Sequence, residues 1–241
     1  MLKIFKYECK RLLCNKFFFG LLLVTMFYGW QVLNNVTIFG VSHTAPFSPW
    51  SFGDYLSRMI PMLWIGTLFF ITFFTSPKAV RAAVLTDAAP AAPARYAAAR
   101  CAAALAGSVL LSLVCLAEAA VFYGSCFKWY EWGGLFLPAA VTLLPALLFA
   151  LGSGWFLGRL RPWLVYAWMA VPFLCMVLPM PEALGIWNGS FFTEYPLTLN
   201  ALDPEFSMPV TAVLAQCASA AAGAAMFGLP IRKKMRVHSP A

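Results

Sequence analysis

Charge is scarce in this chain: Asp, Glu, Lys and Arg together make up 11% of its 241 residues, against 62% hydrophobic ones. A soluble domain carries roughly 25% charged residues, so this composition cannot cover a soluble surface and excludes any soluble part larger than a loop. Histidine is scarcer still. His43 and His238 fall on opposite sides of the predicted membrane, which rules out a His-based metal cluster. The seven cysteines form no CxxC pair and scatter through or beside apolar runs, reading as small buried hydrophobes rather than a disulfide or metal framework. There is no GxxxxGK[ST] phosphate loop, no GxSxG elbow and no kinase signature. ATP hydrolysis by this chain is therefore not expected, nor is intrinsic catalysis, nor a bound cofactor. The net charge of +8 does not point to nucleic acid, because no stacking or base-reading aromatics alternate with Lys and Arg.

What charge there is follows a pattern. Of the 17 Lys and Arg residues, 15 lie in four polar segments, 1–16, 76–100, 158–162 and 231–241, and only Arg58 and Lys128 lie in the gaps between. Cytoplasmic loops collect Lys and Arg, so both termini are expected in the cytoplasm of a multi-pass protein of the cell membrane, bacterial in character. Six of the nine carboxylates, Asp54, Glu131, Glu182, Glu194, Asp203 and Glu205, fall in the opposite, outer loops.

A membrane-spanning helix needs about 20 mostly apolar residues. Six segments qualify, at Phe17 to Ile38, Arg58 to Thr75, Tyr96 to Tyr123, Leu135 to Leu157, Trp163 to Met180 and Pro209 to Leu229. The expected fold is an all-α membrane protein, a six-transmembrane-helix bundle over 17–230 with an N-terminal amphipathic interfacial helix at 1–16 and a basic cytoplasmic tail at 231–241. In the N-terminal segment, Leu2, Phe5, Cys9, Leu12 and Leu13 recur at helical spacing, with Lys3, Lys6, Lys10 and Arg11 on the other face. Such a helix lies in the interface plane. The apolar run after it continues past Tyr28 with no small-residue cleavage site, unlike a secretory signal.

Trp50, Trp129, Tyr130, Trp132, Trp187 and Tyr195 stand beside predicted span ends and read as an interfacial belt. The last outer loop, 181–208, holds Pro181, Pro196 and Pro204 and is long enough to require order of its own; a re-entrant stretch around Ile186 to Phe192 is one reading. Glu118 is the ionisable residue placed inside a predicted span, about five residues or roughly 7–8 Å from its outer end. Desolvating a carboxylate there is costly. Glu118 either lines a translocation path or serves structurally, snorkelling, pairing with Lys128 or carrying a proton. Small residues at Ala97–Ala99, Ala102–Ala104, Gly107 and Cys217–Ala225, and the Gly154–Gly158 pair, mark close helix packing within the bundle or between subunits.

The first cytoplasmic loop, 76–95, is the most informative. Pro77 to Leu85 can form a short amphipathic helix exposing Lys78 and Arg81, followed by Asp87, a break at Pro90, and Arg95 and Tyr96 leading into the third span. It reads either as a surface on which a cytoplasmic partner pushes or as a plain connection. Pro90, Arg95, Tyr96 and Arg100, with Lys6-Tyr7-Glu8, Lys10-Arg11 and Lys16-Phe17 before the first span, resemble the permease (transmembrane) subunit of ABC transporters of the type-2 exporter class. The family usually places acidic residues and Gly-Thr before its coupling helix, where this chain reads Ser76-Pro77-Lys78-Ala79-Val80-Arg81-Ala82.

That resemblance implies a permease that works with two copies of a cytoplasmic ATP-binding-cassette ATPase, which would carry the ATP and Mg, and with a second permease subunit, identical or homologous. It implies ATPase coupling through Lys78, Arg81, Asp87, Pro90, Arg95 and Tyr96, and a path between the first, second and fifth spans of facing subunits. The cargo expected is a small peptide, drug-like or lipophilic molecule, as in self-protection against bacteriocins. Two alternatives stand beside it. A secondary transporter needs ionisable residues or broken helices near the midplane; Pro145 and Pro172 could break helices, but midplane carboxylates are missing. A membrane-embedded enzyme would draw on the outer carboxylates Glu182, Glu194, Asp203 and Glu205.

Overall fold

The computed structural model describes residues 2–76, 93–178, 180–199 and 201–228. All regular secondary structure there is helical, with no strand among the described residues. Helix α1 (Leu2–Leu13) ends at the Cys14–Asn15 turn, where the Asn15 Oδ1 accepts from the Phe17 amide at 3.2 Å and caps α2 (Lys16–Asn35). Then follow α3 (Pro49–Thr75), α4 (Pro93–Cys126), α5 (Phe136–Leu160), α6 (Pro162–Trp168), α7 (Val171–Val177), α8 (Ser190–Thr198) and α9 (Val210–Gly228). Five of the helical stretches are long and apolar enough to cross a membrane: Lys16–Phe39, Pro49–Thr75, Arg95–Cys126, Trp132–Leu160 and Val210–Gly228. The chain is an all-α protein of multi-pass membrane type. The predicted tail at 231–241 lies outside the described residues.

Two expectations change. The second span begins at Pro49, not Arg58, because Ser48 caps the Ser51 amide at 3.1 Å and Pro49 occupies the first turn. Residues 49–57 are therefore helix and not outer loop, and Trp50, expected in the interfacial belt, is fully buried in the core. The stretch predicted as a continuous fifth span is two short helices, α6 and α7, parted at Met169–Ala170, with Pro172 in the first turn of the second. Pro162–Val177 at 1.5 Å per residue reaches about 24 Å, short of a hydrocarbon core about 30 Å thick.

Helix α3 is the axis of the bundle. Tyr55, Met59, Trp64, Leu68, Phe70 and Ile71 are buried along it, and α2, α4, α5 and α8 pack around it. Burial of large side chains at about 1.5–3 kcal/mol each is not the main drive inside lipid, so close approach matters more. Gly154 lies against Leu68 and Ile71, and Gly158 against Thr75, so the paired glycines of α5 bring it onto α3 within one chain. Gly152 and Gly223 face each other so closely that a methyl group on either would meet backbone, which fixes α9 on α5.

Candidate functional site

Two polar constellations stand out in the helical bundle, one at each end of α3. The first joins α1 to the helix ends that flank residues 77–92. Glu8, only 3% exposed, sits between two guanidinium groups: Arg11, with Nη2 at 3.3 Å, and Arg100 of α4, whose Nε donates at 3.3 Å. Arg11 also lies over the rings of Phe73 and Phe74 in the last turn of α3, at 4.9 and 5.6 Å from their centroids. Phe5, Cys9, Leu12 and Leu13 pack inward, while Leu2 is exposed. Burial, and then the neighbouring Glu8 carboxylate, push the Cys9 thiol pKa above its ordinary value. One helix thus ties the end of α3 to the beginning of α4. Gly107 leaves the space in which Phe70 and Leu12 meet beneath it.

Of the residues expected to couple to an ATPase, Lys78, Arg81, Asp87 and Pro90 lie outside the described residues. Arg95 and Tyr96 occupy the first turn of α4, Arg95 exposed and Tyr96 half-buried, just before Arg100. Sequence reasoning placed Glu8 and Arg100 in the segments carrying the resemblance but did not pair them. The signal was present, since Glu8 is the lone acid in an otherwise basic helix.

The second constellation lies in the other half of the bundle. Asp54 is 1% exposed; its Oδ2 accepts from the Arg58 Nε at 2.8 Å, and its Oδ1 is buried with no hydrogen-bond partner. Tyr28 of α2 donates to the Arg58 carbonyl at 3.3 Å, and Tyr55 donates to the Cys115 carbonyl of α4 at 3.1 Å. Glu118 lies eight residues before the end of α4, about 12 Å at helical rise, deeper than expected because the helix runs on to Cys126. Its Oε2 is buried against Gly29 of α2 without a hydrogen-bond partner, and Glu118 makes no ion pair among the described residues, with Lys128 or any other cation. Intramembrane ionisable groups of this kind are costly and default to function. Asp54 does not stand out from sequence because the polar stretch around it reads as loop.

A buried segment covers this seam. Ile186, Phe191 and Phe192 are buried; the Phe192 ring lies on Gly53, and Gly189, at φ +86°, sits against Asp54 and Ser57. Trp50 donates to the Pro204 carbonyl at 2.8 Å and packs against Phe191, Tyr195 and Phe206. The Ser42 hydroxyl donates to the Thr193 carbonyl. Of the outer carboxylates, Glu182 and Glu194 line one cavity of about 290 Å³ with Ser190 and Thr198, whereas Asp203 and Glu205 do not line it. No group of three metal-ligating side chains occurs among the described residues. No family model, no curated protein and no solved structure matches this chain.

Proposed function

We propose that the chain is the transmembrane permease subunit of an ATP-driven transporter of the ABC type-2 exporter class. The observation that carries this reading is the tie made by α1. A partner pressing on residues 77–92 would act between two helices that are already joined, α3 through Arg11 over Phe73 and Phe74, α4 through Arg100 on Glu8. A push there would then reach both helices together with α1.

Two features support it. Helix α2 leaves Phe19, Leu23, Phe27 and Trp30 outside the core, a face suited to lipid or to a second permease subunit. Five helices are long and apolar enough to cross a membrane, and a sixth pass, which that class requires, would have to be made by the broken pair α6 and α7, with the positive-inside pattern favouring cytoplasmic termini. Cargo would pass along the face where Arg58, with a side chain 38% exposed, and Tyr28 come to the surface, with Glu118 behind them. Co-expression with candidate cassette ATPases tests the reading. Capture of an ATPase, with its hydrolysis altered by the permease, is expected; no ATPase retained with or without nucleotide would overturn it.

A secondary transporter is the second reading, favoured by the ion pair of the buried Asp54 with Arg58 and by the α6–α7 break. It predicts uptake or efflux abolished by an uncoupler while ATP is kept constant.

A further inference from the structure

Helices α4 and α5 touch only sparsely, and at the end of the bundle nearest α1 they part around an open groove of about 760 Å³. The recess exists because α4 offers little bulk there. Ala97, Ala98, Cys101 and Ala102 form its α4 wall, and Leu148, Leu151 and Trp155 the α5 wall, with Phe227 of α9 closing one side. Its one charged lining residue is Arg159, at the mouth, in the last turn of α5. Arg95 stands one turn before Ala98 on the same stripe of α4 and is exposed.

Dimensions and charge together identify the occupant. The lining runs from Ala97 to Leu105 on α4 and from Leu148 to Arg159 on α5, about 12 and 16 Å at helical rise. That is one leaflet of a hydrocarbon core about 30 Å thick. An apolar channel one leaflet long, with cations only at the end facing water, matches a phospholipid acyl chain below an anionic headgroup. A peptide would leave its backbone groups unpaired against these apolar walls. The positive-inside pattern puts Arg95 and Arg159 at the cytoplasmic leaflet, where anionic lipids attract basic groups at about 1 kcal/mol per cation.

We infer that this groove is a binding site for one anionic diacyl phospholipid, its phosphate held by Arg159 and Arg95 and an acyl chain laid between α4 and α5. The site faces outward from the bundle, and the inference does not depend on an ATPase partner.

The test is native mass spectrometry of the full chain in detergent, titrated separately with palmitoyl-oleoyl phosphatidylglycerol and phosphatidylcholine. One phosphatidylglycerol retained per chain in preference to phosphatidylcholine is expected. Arg159→Gln should lower its retention about five-fold, and Arg159→Lys should largely restore it. Ala102→Phe, which fills the groove, should lower retention of both lipids. Glycerol 3-phosphate should not compete, because buried methylenes at about 0.8 kcal/mol each supply most of the affinity. Equal retention of the two lipids, or full retention in both Arg159→Gln and Ala102→Phe, would overturn the site, as would displacement by glycerol 3-phosphate. Arg159 is exposed at the helix end, so its variants are read even if Ala102→Phe fails to fold.

Discussion

Arg100 and Glu8 meet at 3.3 Å across 92 residues of sequence, the guanidinium on α4 and the carboxylate buried on the inner face of α1. A basic helix facing a membrane surface has no need of a carboxylate on its packed side. Here that carboxylate binds one cation of its own helix and one of the next layer, which turns an amphipathic segment into a fixed part of the bundle.

Removing one partner of a buried pair leaves the other uncompensated, at about 3–5 kcal/mol. Arg100→Ala should therefore lower the melting temperature of the detergent-solubilised protein more than Arg11→Ala, because the Arg11 side chain is 36% exposed against 15% for Arg100. The double change Glu8→Gln with Arg100→Gln should be milder than Arg100→Ala alone. Equal shifts for all three would show that the pair does not anchor α1.

Gly29 leaves the space that the Glu118 carboxylate occupies, with the Tyr55 hydroxyl 3.1 Å from where a methyl group would lie. Gly29→Ala forces overpacking, at a cost of about 1–3 kcal/mol. Glu118→Ala empties the same space, so the two changes together should cost less than their sum, with a coupling of about 0.5–3 kcal/mol. Thermal unfolding of the four proteins measures it. Strict additivity would mean that Glu118 turns elsewhere.

The long apolar runs made α2, α4, α5 and α9 legible to within a few residues, since each must satisfy its backbone inside lipid by forming helix. Helix α3 was legible only in part. Ser51, Gly53, Asp54 and Ser57 lower its hydropathy, and a window that scores transfer into lipid reads them as loop. They are buried against protein instead, beneath Gly189 and Phe192. Trp50 was misplaced for the same reason, because an aromatic beside a span end reads as a belt residue unless a covering segment is known. Composition likewise carries no record of the Met169–Ala170 break, of which Pro172 was the sole local sign. The polar site followed these errors: Glu118 stood out inside an apolar run, whereas Asp54 and Arg58 were hidden by a helix start set too late.

Gly189 holds φ at +86°, and a methyl group added there would meet the Ser57 hydroxyl at 2.8 Å and the Asp54 carboxylate at 2.9 Å. Gly189→Ala adds a left-handed backbone penalty of about 1–2 kcal/mol to a steric clash. Loosening of the 186–192 segment is expected, seen as faster labelling of an engineered Ile186→Cys thiol by a polar maleimide. Unchanged labelling would show that the segment is held by its aromatic contacts alone.

Those aromatic contacts make the sharpest separation at Trp50. Its ring packs 4.9 Å from Phe206, centroid to centroid, and its indole N–H reaches the Pro204 carbonyl at 2.8 Å. Trp50→Phe keeps a ring and loses the hydrogen bond, worth about 0.5–1.5 kcal/mol net. Trp50→Ala also loses the packing, for a total of about 3–5 kcal/mol. If Trp50 anchors the stretch that precedes α9, the two variants should differ in kind. Protease added to the detergent-solubilised protein should cut near 201–207 slowly in Trp50→Phe and rapidly in Trp50→Ala, with α1 through α5 left intact. Equal cutting in the two would assign the anchoring to the hydrogen bond, and no cutting in either would assign it to the Phe191–Tyr195 and Phe192–Phe206 stacks.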